Sequence, residues 1–255
     1  MTTERLVGRS HWPQPLAWAM LQLLLLGLGL MSLVWNLIAL VLHPLLARDT
    51  GLRIGRAGIS RGYRLFWIVA RASGLLQMDA RALRPLADER GLIIVANHPS
   101  LLDALMLVAE LPRSACVMKA SLARNPFLGP GARLARYVRN DSPRRMVREA
   151  VDDLRAGGQL VLFPEGTRTT RNPINPLQLG FAAIARRAGV PVQVVFIDTT
   201  SPYLAKGWPL WRLPPLPIEF SVRLGRRFEP GADFQHLVQE VERHLAAGVR
   251  PAPRP

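Results

Sequence analysis

Residues 10–47 contain no Asp, Glu, Lys or Arg. That run of 38 residues is well beyond the roughly 20 needed to cross a bilayer core as a helix. Its centre is Leu21 to Leu42, with Trp18 and Trp35 at positions suited to interfacial depth. A cleavable signal peptide has a shorter apolar region followed by a small-residue cleavage site, which this segment does not match. Gly27, Gly29 and Pro44 fit either one tilted membrane helix or a shallow helical hairpin.

The segment is followed by Arg48, Arg53, Arg56, Arg61 and Arg64 against Asp49 alone, and preceded by Arg5 and Arg9 against Glu4. This bias predicts a membrane protein with its main domain on the cytoplasmic side. Between residues 63 and 76, Phe66, Trp67, Ile68 and Val69 mix with Arg64 and Arg71. An interfacial helix with snorkelling arginines and a buried first helix of the domain both fit that mixture. The organisation expected is a membrane anchor at 1–47, a basic connector at 48–80, one domain at 81–248 and a loose tail at 249–255.

Beyond residue 80, short apolar runs at 92–96, 115–118, 160–163 and 192–197 read as buried strands, with a further strand at 218–224. Helical patterns lie between them. One begins with Ser142 as a cap and Pro143 at the first helical position, and stops at Gly157-Gly158. A second spans 177–188 and ends at Gly189, and a third follows Asp233. The proline-rich stretch 209–217 reads as a loop. Alternating strands and helices predict an α/β fold: a single domain with a largely parallel sheet flanked by helices, beside the N-terminal membrane helix or hairpin.

Two polar clusters each follow a predicted strand, where α/β sheets bind their ligands. The first is Asn97-His98-Pro99-Ser100-Leu101-Leu102-Asp103. An aspartate beside one imidazole nitrogen fixes the tautomer and leaves the other nitrogen to accept a proton. The second is Phe163-Pro164-Glu165-Gly166-Thr167-Arg168-Thr169, a tight turn whose Arg168 offers a planar fork matched to phosphate oxygens. Taken singly, each also fits an ordinary loop.

In this order, with Glu165 lying 62 residues after Asp103, the pair resembles the glycerolipid acyltransferase family, typified by 1-acylglycerol-3-phosphate acyltransferases. The resemblance spans about 91–199. It implies an acyltransferase that moves a fatty acyl group from acyl-coenzyme A or acyl carrier protein to a lysolipid hydroxyl. His98 would be the general base oriented by Asp103, with Glu165, Gly166, Thr167 and Arg168 holding the acceptor. Lys119 and Arg139 are further acceptor-phosphate candidates. The implied partners are a lysolipid, a thioester donor and a membrane; no metal or organic cofactor is implied.

Two departures bear on the acceptor. The family's acidic-then-arginine middle motif is reordered as Arg139-Asn140-Asp141, and Leu179 stands before Gly180 where many relatives carry a basic residue. The resemblance makes lysophosphatidic acid the first expectation, and these departures, with one phosphate contact missing, open another lysolipid such as lyso-ornithine lipid as the alternative. A catalytically silent lipid-binding protein is a further one.

With 33 Lys+Arg against 18 Asp+Glu the chain carries +15, which calls for anionic partners. Lys119, Arg124, Arg133, Arg136, Arg139, Arg144, Arg145 and Arg148 stand against Asp141 alone, a face suited to headgroups, an acidic carrier protein or plain solvent. The charge alone is compatible with nucleic acid, but the few aromatics and lack of a binding motif argue against it. His11, His43, His236 and His244 have no metal-ligand company. Cys116, the single cysteine, has no partner in the chain for a disulfide.

Overall fold

The computed structural model describes residues 12–250; Glu4, Arg5, Arg9, His11 and the tail 251–255 lie outside the described residues. The charge-free run forms α1 (Gln14–Leu45), and two residues later the chain re-enters helix as α2 (Arg48–Ala72). The two pack antiparallel: a Cβ added at Gly58 of α2 would collide with the Trp35 ring of α1, while one added at Gly62 would touch Met31 at 3.8 Å. Glycine at position 58 is required by that close approach.

The chain continues through β1 (Leu76–Asp79), β2 (Leu92–Ala96), α3 (Asp103–Glu110), β3 (Ser114–Met118), α4 (Gly129–Leu134), β4 (Val138–Arg139) and α5 (Pro143–Arg155). It ends with β5 (Gln159–Leu162), α6 (Gly180–Ala188), β6 (Val192–Thr199), β7 (Ile218–Phe228) and α7 (Phe234–Gly248). The seven strands form one sheet in the order β1-β7-β6-β2-β5-β3-β4. β6, β2, β5, β3 and β4 run parallel, whereas β7 is antiparallel to β6 and β1 is parallel to β7. The sheet therefore reaches back into the stretch 48–80 expected to be a connector, because β1 pairs Leu76–Asp79 with β7 from Ile218 to Ser221.

Strand alternation divides the core into two layers. Leu92, Ile94, Ala96, Cys116, Val161, Val195 and Ile197 face α1, α2 and α3. Ile93, Val95, Ala115, Leu160, Leu162 and Val194 face α5, α6 and α7. Continuous apolar runs are what strands buried on both faces require. Ser142 caps α5 by accepting from Arg145 N, with Pro143 next to it, and α6 ends on Gly189 in the left-handed region at φ 69°. α6 starts at Gly180 rather than 177, because Gln178 N donates to Pro164 O and is tied to the turn after β5.

α2 carries one face of each kind proposed for residues 63–76. Phe66, Trp67 and Ala70 are buried, while Leu65, Ile68 and Val69 are exposed. Arg64 bonds inward, its Nε donating to Ala109 O of α3 at 2.5 Å. Arg56, one of the basic run that follows α1, is buried on the domain: Nη2 meets Asp153 Oδ1 of α5 at 2.7 Å, and Nε and Nη1 donate to Ala135 O and Arg113 O.

The last helix is pinned by His244, which lies against Phe196 and Phe228 with ring centroids 5.4 and 5.7 Å away. Its Nε2 accepts from Arg226 N at 2.9 Å, a bond only neutral imidazole can make. Burial, then the charge of Arg226, lowers its pKa below the ordinary 6.5. With the folded pKa depressed, the contribution is complete above pH 6.5 and is lost as pH falls from 6.5 toward the folded value. Melting temperature should therefore drop between pH 7 and 5, with a shallower slope in His244→Gln, whose side-chain oxygen accepts the same bond without titrating. Identical slopes would show that His244 does not carry this dependence.

Candidate active site

β2, β5, β3 and β4 are neighbouring parallel strands, so the turns at their carboxyl ends share one edge. β2 runs into Asn97, which is buried and straps that edge: Nδ2 donates to Ile197 O and Oδ1 accepts from Ile197 N, both at 2.8 Å. The next residue is His98, with 16% of its side chain exposed. Its Nδ1 lies 2.8 Å from Oδ2 of Asp103, whose side chain is fully buried at the start of α3. The same oxygen accepts from Ser100 N at 2.8 Å.

Burial pushes the Asp103 carboxyl up, while the bonds from His98 and Ser100 pull it back. With Nδ1–H donating to Asp103, Nε2 is the lone-pair nitrogen available to a proton. Phe163 stacks on the imidazole with centroids 4.0 Å apart and planes at 19°. It covers one face of the His98 ring. Phe163 stands in the motif, but nothing in the sequence distinguishes this stacking from ordinary core packing.

The turn after β5 comes up beside His98. Gly166 sits at φ 69°, where L side chains are strained, and its N donates to Phe163 O at 3.0 Å. Glu165 is 4% exposed and both its oxygens are occupied. Oε1 accepts from His98 N at 3.1 Å and Thr169 Oγ1 at 2.6 Å, and Oε2 accepts from Asn175 N at 2.8 Å. Burial pushes its pKa up against these three donors. The carboxylate expected to hold an acceptor thus lies beneath the turn, bound to the protein's own N–H and O–H groups.

Asn175, absent from any sequence reading, organises the rest of this loop. Its Oδ1 accepts from Thr170 N and Oγ1 and from Arg171 N, and its Nδ2 donates to Arg168 O.

Arg168 is half-buried, with Nη1 donating to Leu204 O at 2.8 Å and Ala205 O at 3.0 Å. The loop it holds is also tied to the turn that carries His98, since Ser100 Oγ donates to Tyr203 O and Leu101 N to Leu204 O. Thr167 is half-buried in the same turn. Lys119 is exposed directly after β3, and Arg139 ends β4, 3.9 Å from Asp141. Lys119 is two strands from His98 and Arg139 three, which at strand spacing is about 10 and about 14 Å across the edge. In the wider basic face, Arg145 is paired with Asp141.

This arrangement is compatible with known proteins. Residues 77–198 match the family model described as Acyltransferase. The chain is 27% identical over 184 residues to the 1-acyl-sn-glycerol-3-phosphate acyltransferase of Cocos nucifera, covering 69% of this chain and 56% of that protein. It is 32% identical over 149 residues to the human 1-acyl-sn-glycerol-3-phosphate acyltransferase beta, covering 51% and 50%. The chain thus spans about half the length of these curated relatives. The solved 1-acyl-sn-glycerophosphate acyltransferase of Thermotoga maritima shares the fold at a TM-score of 0.60 and 21% identity, over 91% of this chain and 95% of that one. Both motifs lie inside the matched segment, so the chain resembles the glycerolipid acyltransferases in sequence and shares the fold of one of them along nearly its whole length.

Proposed function

We propose that this protein transfers a fatty acyl group from a thioester to the free hydroxyl of a lysolipid, with 1-acyl-sn-glycerol-3-phosphate as the first acceptor. The observation that carries this reading is the 2.8 Å bond from His98 Nδ1 to the buried Asp103. His98 Nε2 removes the proton as the acceptor oxygen attacks the thioester carbonyl. The tetrahedral adduct collapses with cleavage of the C–S bond, and the imidazolium returns its proton to the departing thiolate. No acyl-enzyme intermediate is required. Arg168, Lys119 and Arg139 supply positive charge along the edge where an acceptor phosphate would lie.

The membrane belongs to the same reading. α1 is long and apolar enough to cross a bilayer, but it is docked on the domain near both ends. Trp18 Nε1 and Gln22 Nε2 donate to Trp211 O and Leu210 O, and Asn36 bonds Phe127 O and Gly131 N. Trp18 to Asn36 is about 27 Å of helix, close to the thickness of a bilayer core. A perpendicular crossing would drag the domain's own backbone into hydrocarbon. A helix lying in one leaflet, with Leu26, Leu30 and Leu37 turned outward, avoids that. Replacing all three with arginine should lower partition into liposomes by at least about tenfold, since burying each leucine in the leaflet contributes about 1.5–3 kcal/mol. Unchanged flotation on a density gradient would sink this orientation.

The decisive experiment follows thiol release from acyl-coenzyme A and acyl carrier protein with a panel of lysolipids, using detergent-solubilised enzyme. Release that requires lysophosphatidic acid supports the proposal. Release with lyso-ornithine lipid alone would reassign the acceptor, and no release with any lysolipid would overturn the enzymatic reading.

A further inference from the structure

The main chain of His98 is gripped from both sides by one residue. Thr169 N donates to His98 O at 2.8 Å, and Thr169 Oγ1 accepts from His98 N at 3.3 Å. The hydroxyl hydrogen goes to Glu165 Oε1 at 2.6 Å, and the same oxygen also accepts from His98 N at 3.1 Å. His98 N, Thr169 Oγ1 and Glu165 Oε1 thus close a three-membered ring of hydrogen bonds, and Asn175 N fixes the other carboxylate oxygen.

His98 has no β-ladder partner of its own, since β2 ends at Ala96. Asp103 and Phe163 lie against the imidazole, while the hydrogen bonds of the His98 peptide groups go elsewhere. Those are held by Thr169 and Glu165, which lie 71 and 67 residues further along the chain.

We propose that Thr169 and Glu165 are positioning residues that set the height of the His98 backbone, and with it the reach of the imidazole to the acceptor hydroxyl. The inference rests on the acyltransferase reading above. It assigns Glu165 a place under the base instead of on the acceptor. The Thr169 hydroxyl is the element that couples the two turns: as donor it completes the solvation of a buried carboxylate, and as acceptor it fixes the histidine amide. A loss of alignment of about 1 Å costs on the order of 100-fold in rate.

The test uses the full chain in detergent, with acyl-coenzyme A and lysophosphatidic acid at varied concentration. Thr169→Val removes the hydroxyl at nearly constant volume and should lower kcat by about 10- to 100-fold, with the acceptor KM within about twofold of wild type. Thr169→Ser, which keeps the hydroxyl, should restore most of that loss. Glu165→Gln should behave like Thr169→Val, because its amide must turn an N–H toward either His98 N or Asn175 N.

A raised acceptor KM with unchanged kcat would make these residues acceptor contacts and overturn the proposal. So would a Thr169→Ser enzyme as slow as Thr169→Val. If Thr169→Val does not fold, Thr169→Ala removes the same hydroxyl without adding bulk and is read in the same way. A wild-type enzyme with no acceptor-dependent release is a failure of the acyltransferase reading itself, whereas an active wild type with an equally active Thr169→Val is a failure of the positioning role alone.

Discussion

His98→Ala should reduce kcat for lysolipid acylation by about 10²- to 10⁴-fold, the range a positioned general base contributes. Liposome partition should stay close to wild type, while the melting temperature should fall, because alanine leaves the fully buried Asp103 carboxylate without its imidazole partner. The companion variant Asp103→Asn is more informative. Asp103 is fully buried, and its Oδ2 takes hydrogen bonds from both His98 Nδ1 and Ser100 N. An asparagine oxygen in that place would accept both bonds but lacks the charge that stabilises the imidazolium, whereas the amide N–H₂ turned toward His98 would lose both and force the proton onto Nε2. The base would then present a donor where it needs a lone pair. Loss of kcat of about 10²-fold or more at constant KM is expected, read by thiol release under saturating donor. Wild-type kcat in Asp103→Asn would refute the tautomer-fixing role, and wild-type kcat in His98→Ala would refute the general-base role.

The sequence makes the dyad visible because its two members lie on one turn. His98 and Asp103 are five residues apart, a distance bridged locally where a strand enters a helix. The central strands were visible for a related reason: a strand buried on both faces must be apolar at every position, as β2 is. β1 and β4 were not visible. β4 is two residues long, and β1 is a four-residue run ending in Asp79, so neither is long enough to show a period. The reversed direction of β1 and β7 is likewise a matter of pairing, which no local pattern encodes. Glu165 shows the limit most clearly. Its residue type and its neighbours Gly166 and Arg168 suggest a ligand-facing turn. What its oxygens bind is decided by the His98 amide 67 residues earlier, by the Thr169 hydroxyl and by Asn175, which carries no signal of its own. Arg56 is a parallel case, since an arginine in a basic run reads as solvated until the partner on another helix is known.

Arg56→Ala should therefore be among the most damaging changes to stability in the chain. The guanidinium is 4% exposed and its three bonds reach α5, the end of α4 and the start of β3, so one side chain from α2 ties three parts of the domain. Removing it strands Asp153, 13% exposed and already pushed up in pKa by burial, and leaves the carbonyls of Ala135 and Arg113 without this donor. Breaking a buried pair from one side typically costs about 3–5 kcal/mol, far more than the pair's net worth. In a chain of this size that lowers the melting temperature by roughly 6–20 °C. The asymmetry supplies the control. Arg56→Met with Asp153→Leu replaces both charges with apolar volume and should recover most of the loss, because the cost comes from an unpaired buried charge and not from a missing attraction. Detergent-solubilised protein melted by circular dichroism would decide it. A double variant no more stable than Arg56→Ala would shift the weight to the two backbone carbonyls. An Arg56→Ala melt equal to wild type would mean that α2 is held to the domain without Arg56, by the apolar face of Phe66, Trp67 and Ala70 and the bond from Arg64 to Ala109 O.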